Sequence, residues 1–376
     1  MIDTVVMTIP EMNFKILNYD AFNPSARGIF IQPYYKLSHG YINCIQTPTK
    51  KDKEQKIYKP RLTLSKRLLS GGYSIALKIE FSAPKLLFKN NFQELEEGDF
   101  DKVISILKKR LYEMSVDVEE DVLRSANVTA IHYSKNIILT TATASLIINL
   151  LRKFDISQRL DKGDTDYRND GQALRFHTNA YELCFYDKMR DLEKANISEK
   201  RAIEDDNYTQ YDLFTPLERE KNEILRMELR LNNKKKIAEI LRSIGVDPKE
   251  MQFFNLFNKE NARQCLLYFW DKLIQPSQDI ILLSEGDNIV LYHRLKSLGF
   301  TDNQILKAMG VLNLIKSDGA RAFKQMENKK GNVFCRAKKV LEAIEPESTY
   351  LLDVFVSIKD TIETMISIND LKGLKL

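Results

Sequence analysis

Apolar and polar positions alternate with period two through the first part of the chain, and repeat with helical period in the last part. The segment IALKIEF at 75–81 puts Ile75, Leu77, Ile79 and Phe81 on one face and Lys78 and Glu80 on the other. LRMELRL at 225–231 repeats the pattern, with Leu225, Met227, Leu229 and Leu231 opposite Arg226, Glu228 and Arg230. Both predict half-buried strands. The opening run MIDTVVMTIP also reads as a strand, and the runs 29–31 and 41–45 as short strands. A strand is predicted over 126–139. Two more, 173–177 and 181–188, are joined by a tight Thr-Asn-Ala turn. Helical spacing covers 100–116 through Val103, Ile106, Leu107 and Leu111, and 140–153 behind a threonine cap. A charged helix is expected over 189–204 and a polar loop over 205–222. After about residue 234 helices dominate. The expected class is α+β: an antiparallel-sheet domain over 1–235, then a mainly α-helical domain over 236–376.

Composition narrows the class. Of 376 residues, 43% are hydrophobic and 29% charged, enough for a core under a polar surface. No apolar run is long enough to span a bilayer, and the start lacks the basic stretch and cleavage site of a signal peptide, so a cytoplasmic protein without a membrane partner is expected. The four cysteines are scattered with no CxxC pair, which argues against a disulfide framework or a cysteine zinc site. A net charge of +5 is compatible with a polyanion partner without requiring one. Residues 47–67 hold eight Lys or Arg against Asp52 and Glu54, with Tyr58 among them. Lys59 and Arg61 in this segment are candidates for touching a DNA backbone; a solvated loop is the alternative.

Strand parity suggests where chemistry would lie. Over 181–188, Glu182, Cys184, Tyr186 and Lys188 share a face. A tyrosine oxygen is a weak nucleophile at its ordinary pKa of about 10. A cation that polarises a phosphate, with a lysine to neutralise developing charge, would compensate. Glu228 between Arg226 and Arg230 reads either as a surface ion-pair ladder or as a metal ligand or phosphate clamp. His132 in VTAIHYSKNI is either a hydrogen-bonded core residue or a ligand, and His177 would offer a further imidazole beside the tyrosine strand. Taken singly, each residue is more often structural.

Together, and in order, the start MID, the stretch KIEFSAPKLLFKNNF at 78–92, the strand holding His132, the block LCFYDK at 183–188 and the strand LRMELRL resemble the filamentous-phage gene II family of replication endonucleases, also known as the phage or plasmid replication protein II/X family. The resemblance covers roughly residues 1–235. It implies a rolling-circle replication initiator with a nickase domain of the HUH-like type, which cuts one origin strand through a covalent 5′-phosphotyrosine intermediate and later rejoins it. It implies Tyr186 as the nucleophile, Glu228 as the acidic ligand and Glu80 as a further acid. His132 stands where the family has an Asp, a change that keeps a ligand but softens the preference for oxygen and moves it from Mg²⁺ toward Mn²⁺. The His-hydrophobic-His triplet of the broader superfamily is absent. Lys188 would steady the phosphate oxygens, and Arg226 and Arg230 would orient it. Single-stranded and origin duplex DNA are the implied substrates. No P-loop is present, so a host helicase would act alongside a host polymerase. A mobilisation relaxase with the same chemistry, or a DNA-binding regulator without activity, are the alternatives.

In the helical part, 287–326 reads as a helix ending at Gly299, a cap at Thr301 or Asp302, and further helices punctuated by Gly310 and Gly319. A helix-turn-helix on origin duplex and a plain scaffold or dimer surface both fit, with Lys329, Lys330, Arg336, Lys338 and Lys339 just beyond.

Overall fold

A computed structural model describes residues 1–31, 41–70, 72–153, 161–162, 173–192, 223–249, 251–284, 287–326, 332–344 and 350–370. Its strands are β1 (Ile2–Pro10), β2 (Lys15–Ile16), β3 (Tyr41–Gln46), β4 (Arg61–Leu69), β5 (Gly72–Ser82), β6 (Val116–Asp117), β7 (Asn127–Leu139), β8 (Asp161–Lys162), β9 (Ala173–His177), β10 (Tyr181–Asp187) and β11 (Glu223–Leu231). Nine of them form one antiparallel sheet in the order β3-β4-β5-β1-β7-β11-β10-β9-β8; β2 and β6 pair separately. The first strand therefore lies inside the sheet, between β5 and β7.

Alternation gives the sheet two unlike faces. Val5, Met7, Leu77, Ile79, Phe81, Leu183, Phe185, Leu225, Met227 and Leu229 are all buried on one face. Helices from the C-terminal region cover it. Tyr133 donates to the Leu256 carbonyl at 3.2 Å, Phe81 meets Phe253 edge-on at 5.9 Å between ring centroids, and Trp270 stands between Phe185 and Phe355. The change from strand to helix falls where expected, between β11 and the helix Lys234–Ser243, and one continuous core runs across it. The opposite face carries the polar residues of the same strands.

β7 is longer than its neighbour β1. Beyond Ser134, whose N–H donates to the Met1 carbonyl, the β7 edge loses its strand partner. Glu94 completes it. Its carboxylate accepts from the Asn136 N–H at 2.7 Å, from the Lys135 ammonium at 2.5 Å and from the Ile368 N–H at 3.1 Å. Lys135 also donates to the Ile366 carbonyl, and the Asn369 amide donates to the Glu94 carbonyl. Burial pushes the Glu94 carboxyl up, but Lys135 and its other partners outweigh this and hold it below its ordinary value.

Several expectations change. Residues 29–31 belong to a short helix, Arg27–Ile31: Ile29 is buried while Ile31 is exposed, and a strand would have buried both. The basic segment is a short helix that leads into a strand of the sheet. Thr49 and Asp52 cap a helix at Lys50–Glu54, and Arg61 opens β4, which pairs on both sides. The helix after β7 begins at Ala144, with the Thr143 hydroxyl accepting from the Leu146 N–H. Thr301 caps Asp302–Asp318 through a capping box with Gln304; this helix runs through Gly310 and stops at Gly319, where φ is +87°. The expected loop at 205–222, most of the expected helix at 189–204, Lys329 and Lys330 lie outside the described residues.

Removing one partner of a buried ion pair strands the other charge, at a cost of about 3–5 kcal/mol. Glu94→Gln is expected to lower unfolding free energy by that order in chemical denaturation. Adding Lys135→Met to it should recover part of the loss.

Candidate functional site

The polar face is assembled by register. Arg230 lies opposite His132 on β7 and Glu182 on β10; Glu228 opposite Ser134 and Cys184; Arg226 opposite Asn136 and Tyr186. Cross-strand neighbours stand close enough for side chains to meet directly or diagonally. Tyr186 reaches diagonally, and its hydroxyl donates to Glu228 Oε2 at 2.8 Å. The other carboxylate oxygen, Oε1, accepts from Arg230 Nε at 2.8 Å and lies 3.5 Å from His132 Nδ1.

Arg226 ties in the N-terminal strand. Its Nη2 donates to Asp3 Oδ1 at 2.7 Å and to the Ser134 hydroxyl at 2.9 Å, and Nη1 donates to the Asn91 carbonyl at 2.7 Å. Asp3 is thereby held beside Glu228 and His132. One ligand atom from each of the three lies within 4.8 Å of the others, the one such set of three among the described residues. Two carboxylates and an imidazole suit a small divalent cation, with the nitrogen favouring Mn²⁺ over Mg²⁺.

The electrostatics follow from burial. Taking an ionised carboxylate out of water costs several kcal/mol unless it is paired. Glu228 is 3% exposed, and burial alone would push its carboxyl up. Arg230, His132 and Arg226 outweigh that and hold it well below the usual carboxylate range. Tyr186 goes the other way: burial raises its hydroxyl well above the ordinary value against the opposing pull of Arg226. Burial also pushes the Cys184 thiol up to about 12, so it is inert as a nucleophile at neutral pH.

A cavity of about 380 Å³ opens over this cluster, lined among others by His132, Arg175, Tyr186, Asp191, Glu228 and Arg230. Arg175 bonds Glu182 through Nη1, while its Nε is buried with no hydrogen-bond partner among the described residues. The Arg226 Nε is likewise unbonded, with Glu228 Oε2 at ion-pair distance, 3.8 Å. Buried donors left without acceptors are costly, and an anion entering the cavity would relieve such a cost.

The expected residues are divided by the structure. Tyr186, Glu228, His132 and Arg230 come together. Arg226 is present but 2% exposed, with both Nη atoms engaged, so it positions Asp3 and does not line the cavity. Lys188 stays beside Tyr186 although β10 ends one residue earlier, at Asp187, whose carboxylate accepts from the Met189 and Arg190 N–H groups. Its ammonium is buried behind the Tyr186 ring and bonds Asn91 and Asp191; burial lowers its pKa, and Asp191 opposes that. Glu80 is on the same face but on β5, two strands away from His132, and it meets Lys78 at 3.5 Å. Asp3, not Glu80, is the second acid of the cluster. His177 pairs with Glu182 at the far end of β9 and is outside the cluster. Lys59 is held by Asp52 at 2.7 Å, and Arg61 lines a separate cavity. Asp3 and Arg175 were not singled out in the sequence. The available signals were a lone acid in an otherwise apolar strand and an arginine alternating with Leu174 and Phe176.

A carboxyl held below its ordinary value stabilises the fold above that value, and the contribution is lost as pH falls through the depressed pKa. The ordinary value for Glu228 is 4.5. Glu228→Gln should therefore melt lower than the unsubstituted protein at neutral pH, with the gap narrowing only in acid well below that value, as followed by thermal melts across pH. No family model, no curated protein and no solved structure matches this chain.

Proposed function

We propose that the chain is a divalent-metal-dependent DNA nicking and joining enzyme of the rolling-circle replication type, with Tyr186 as its nucleophile. One observation carries the reading: the Tyr186 hydroxyl, on the wall of a cavity, donates at 2.8 Å to a carboxylate that also belongs to a three-residue set of metal-ligand atoms. The ordered sequence resemblance supports the choice of DNA as substrate.

Asp3, His132 and Glu228 would hold the cation. When bound, the ion supplies Lewis-acid polarisation of a phosphate oxygen and eases ionisation of a nearby hydroxyl. The remaining work belongs to the protein. Arg230 and Arg175 line the cavity with positive charge and hold the phosphate against the tyrosine. The Tyr186 oxygen attacks phosphorus and forms a phosphotyrosine bond, the bond to the preceding nucleotide's 3′ oxygen breaks, and that oxygen leaves as a hydroxyl by taking a proton from water. Glu228 Oε2 is placed to take the phenol proton. Rejoining is the reverse reaction, with the 3′ hydroxyl as nucleophile. Lys188 and Arg226 act from behind, fixing the tyrosine ring and Asp3.

A second reading has its own observation. Asp3 already faces Arg226, and Glu228 faces Arg230, so both carboxylates are neutralised without a cation. The cluster would then be a buried ion-pair network in a DNA-binding protein without activity.

Incubation with single-stranded origin oligonucleotides and Mn²⁺ or Mg²⁺ is expected to give a protein–DNA adduct that survives denaturation. Tyr186→Phe should reduce it by more than about a thousandfold. Asp3→Asn should weaken Mn²⁺ binding, read by calorimetry, by at least about tenfold. An adduct that persists in Tyr186→Phe would remove the nucleophile. Absence of both adduct and Mn²⁺ binding would favour the ion-pair reading.

A further inference from the structure

A second cavity, of about 340 Å³, lies beside the first on the polar face, and Thr4 lines both. Its wall is made by Arg61 from β4, Glu80 and Ser82 from β5, and Tyr58 and Lys85 from the flanking segments. Two features mark it as built to receive an acceptor. Ser82 is 9% exposed, and its hydroxyl has no hydrogen-bond partner among the described residues. The backbone beside it is already fixed, because the Ser82 N–H donates to the Tyr58 hydroxyl at 2.6 Å. The hydroxyl is thus held out of water with its bonding capacity unspent. Arg61, at the first position of β4, is exposed and forms no ion pair among the described residues, in contrast to Lys59 on Asp52. Arg61 and Lys85 give this cavity two cationic side chains against one carboxylate. That carboxylate, Glu80, is partly neutralised by Lys78 at 3.5 Å.

We infer that this cavity is a second phosphate subsite, in which Ser82 and Arg61 grip a phosphodiester of the same nucleic-acid strand whose scissile phosphate lies at Tyr186. The inference rests on the nicking reading for the identity of the strand. The register supplies the path. Ser82 pairs with Thr4, and Thr4 adjoins Asp3, so the two cavities are contiguous across β1. From β5, which carries Ser82, to β10, which carries Tyr186, is four strand spacings, about 19 Å, so a strand filling both sites spans more than one nucleotide step. A ligand confined to the first cavity never meets Arg61. The subsite therefore makes binding depend on strand length, and Arg61 adds one ionic contact whose counterion release gives the binding a steeper dependence on salt.

The test uses the full chain carrying Tyr186→Phe, so that binding is read without cleavage. The probes are fluorescent oligothymidylates, a dinucleotide and one of about twelve nucleotides, a length within ordinary single-strand site sizes. Arg61→Ala is expected to weaken the long probe about tenfold and to reduce the slope of log affinity against log salt by about one, while leaving the dinucleotide unchanged. Ser82→Ala is expected to weaken the long probe by a similar factor without lowering the melting temperature, because its hydroxyl has no partner to lose in the free protein. Equal loss for both lengths, or no loss for the long probe in either variant, overturns the subsite. Adduct formation by the unsubstituted protein is measured in parallel. Length-dependent loss without any adduct retains the subsite and sinks the nicking reading. An adduct whose yield is indifferent to Arg61 at every length retains nicking and sinks the subsite.

Discussion

The bond from Arg226 to Asp3 joins β11 to β1 across β7, the strand that lies between them. An arginine so nearly excluded from water persists only if its donors find acceptors, and these come from β1, β7 and the segment at Asn91. The same bond delivers an acid from the first strand to a position beside Glu228 and His132. Without it, the polar face would hold one buried carboxylate among cations and no paired-acid set. The tyrosine depends on it too, since Glu228, the acceptor of its hydroxyl proton, is kept charged partly by Arg226.

Such an arrangement is preorganised but closed on itself. Every charge is nearly balanced before any ligand arrives. On the proposed reading, a cation would have to loosen Asp3 from Arg226 or Glu228 from Arg230, and a phosphate would compensate whichever guanidinium is released. The two events favour each other, because each supplies what the other displaces. The unbonded Nε groups of Arg175 and Arg226 are the places where this balance is incomplete.

Much of the fold could be read along the chain because strand parity is a local property. IALKIEF and LRMELRL sort their own residues onto two faces whatever the neighbours are, and the switch to helical spacing near residue 234 is equally local. Parity put Glu228 and Tyr186 on the polar face, and the ordered resemblance, not parity, singled them out. Asp3 was not legible, because strict alternation puts it on the face of Val5 and Met7, and a register shift against β7 between Ile2 and Val5 lets it reach the polar face. Whether Asp3 or Glu80 meets Glu228 depends on β1 inserting between β5 and β7, and no periodicity encodes the order of strands in a sheet. Parity also placed Lys188 beside Tyr186, but it could not show that the ammonium is buried and spent on Asn91 and Asp191. Ile29 and Ile31 show the limit of short apolar runs, which fit one helical turn as well as a strand.

The β7 edge is shared by three segments far apart in sequence: Met1 reaches it at Ser134, and Glu94, together with residues 366–369, reaches it from Lys135 onward. During synthesis the chain emerges in order, so β1, β7 and β11 are all available well before residues 366–369 leave the ribosome. Until then Lys135 lacks one of its two acceptors and the Glu94 carboxylate one of its three donors. The strand that carries His132 thus acquires its final support only after residues 366–369 emerge, which leaves the polar face incompletely braced on nascent chains.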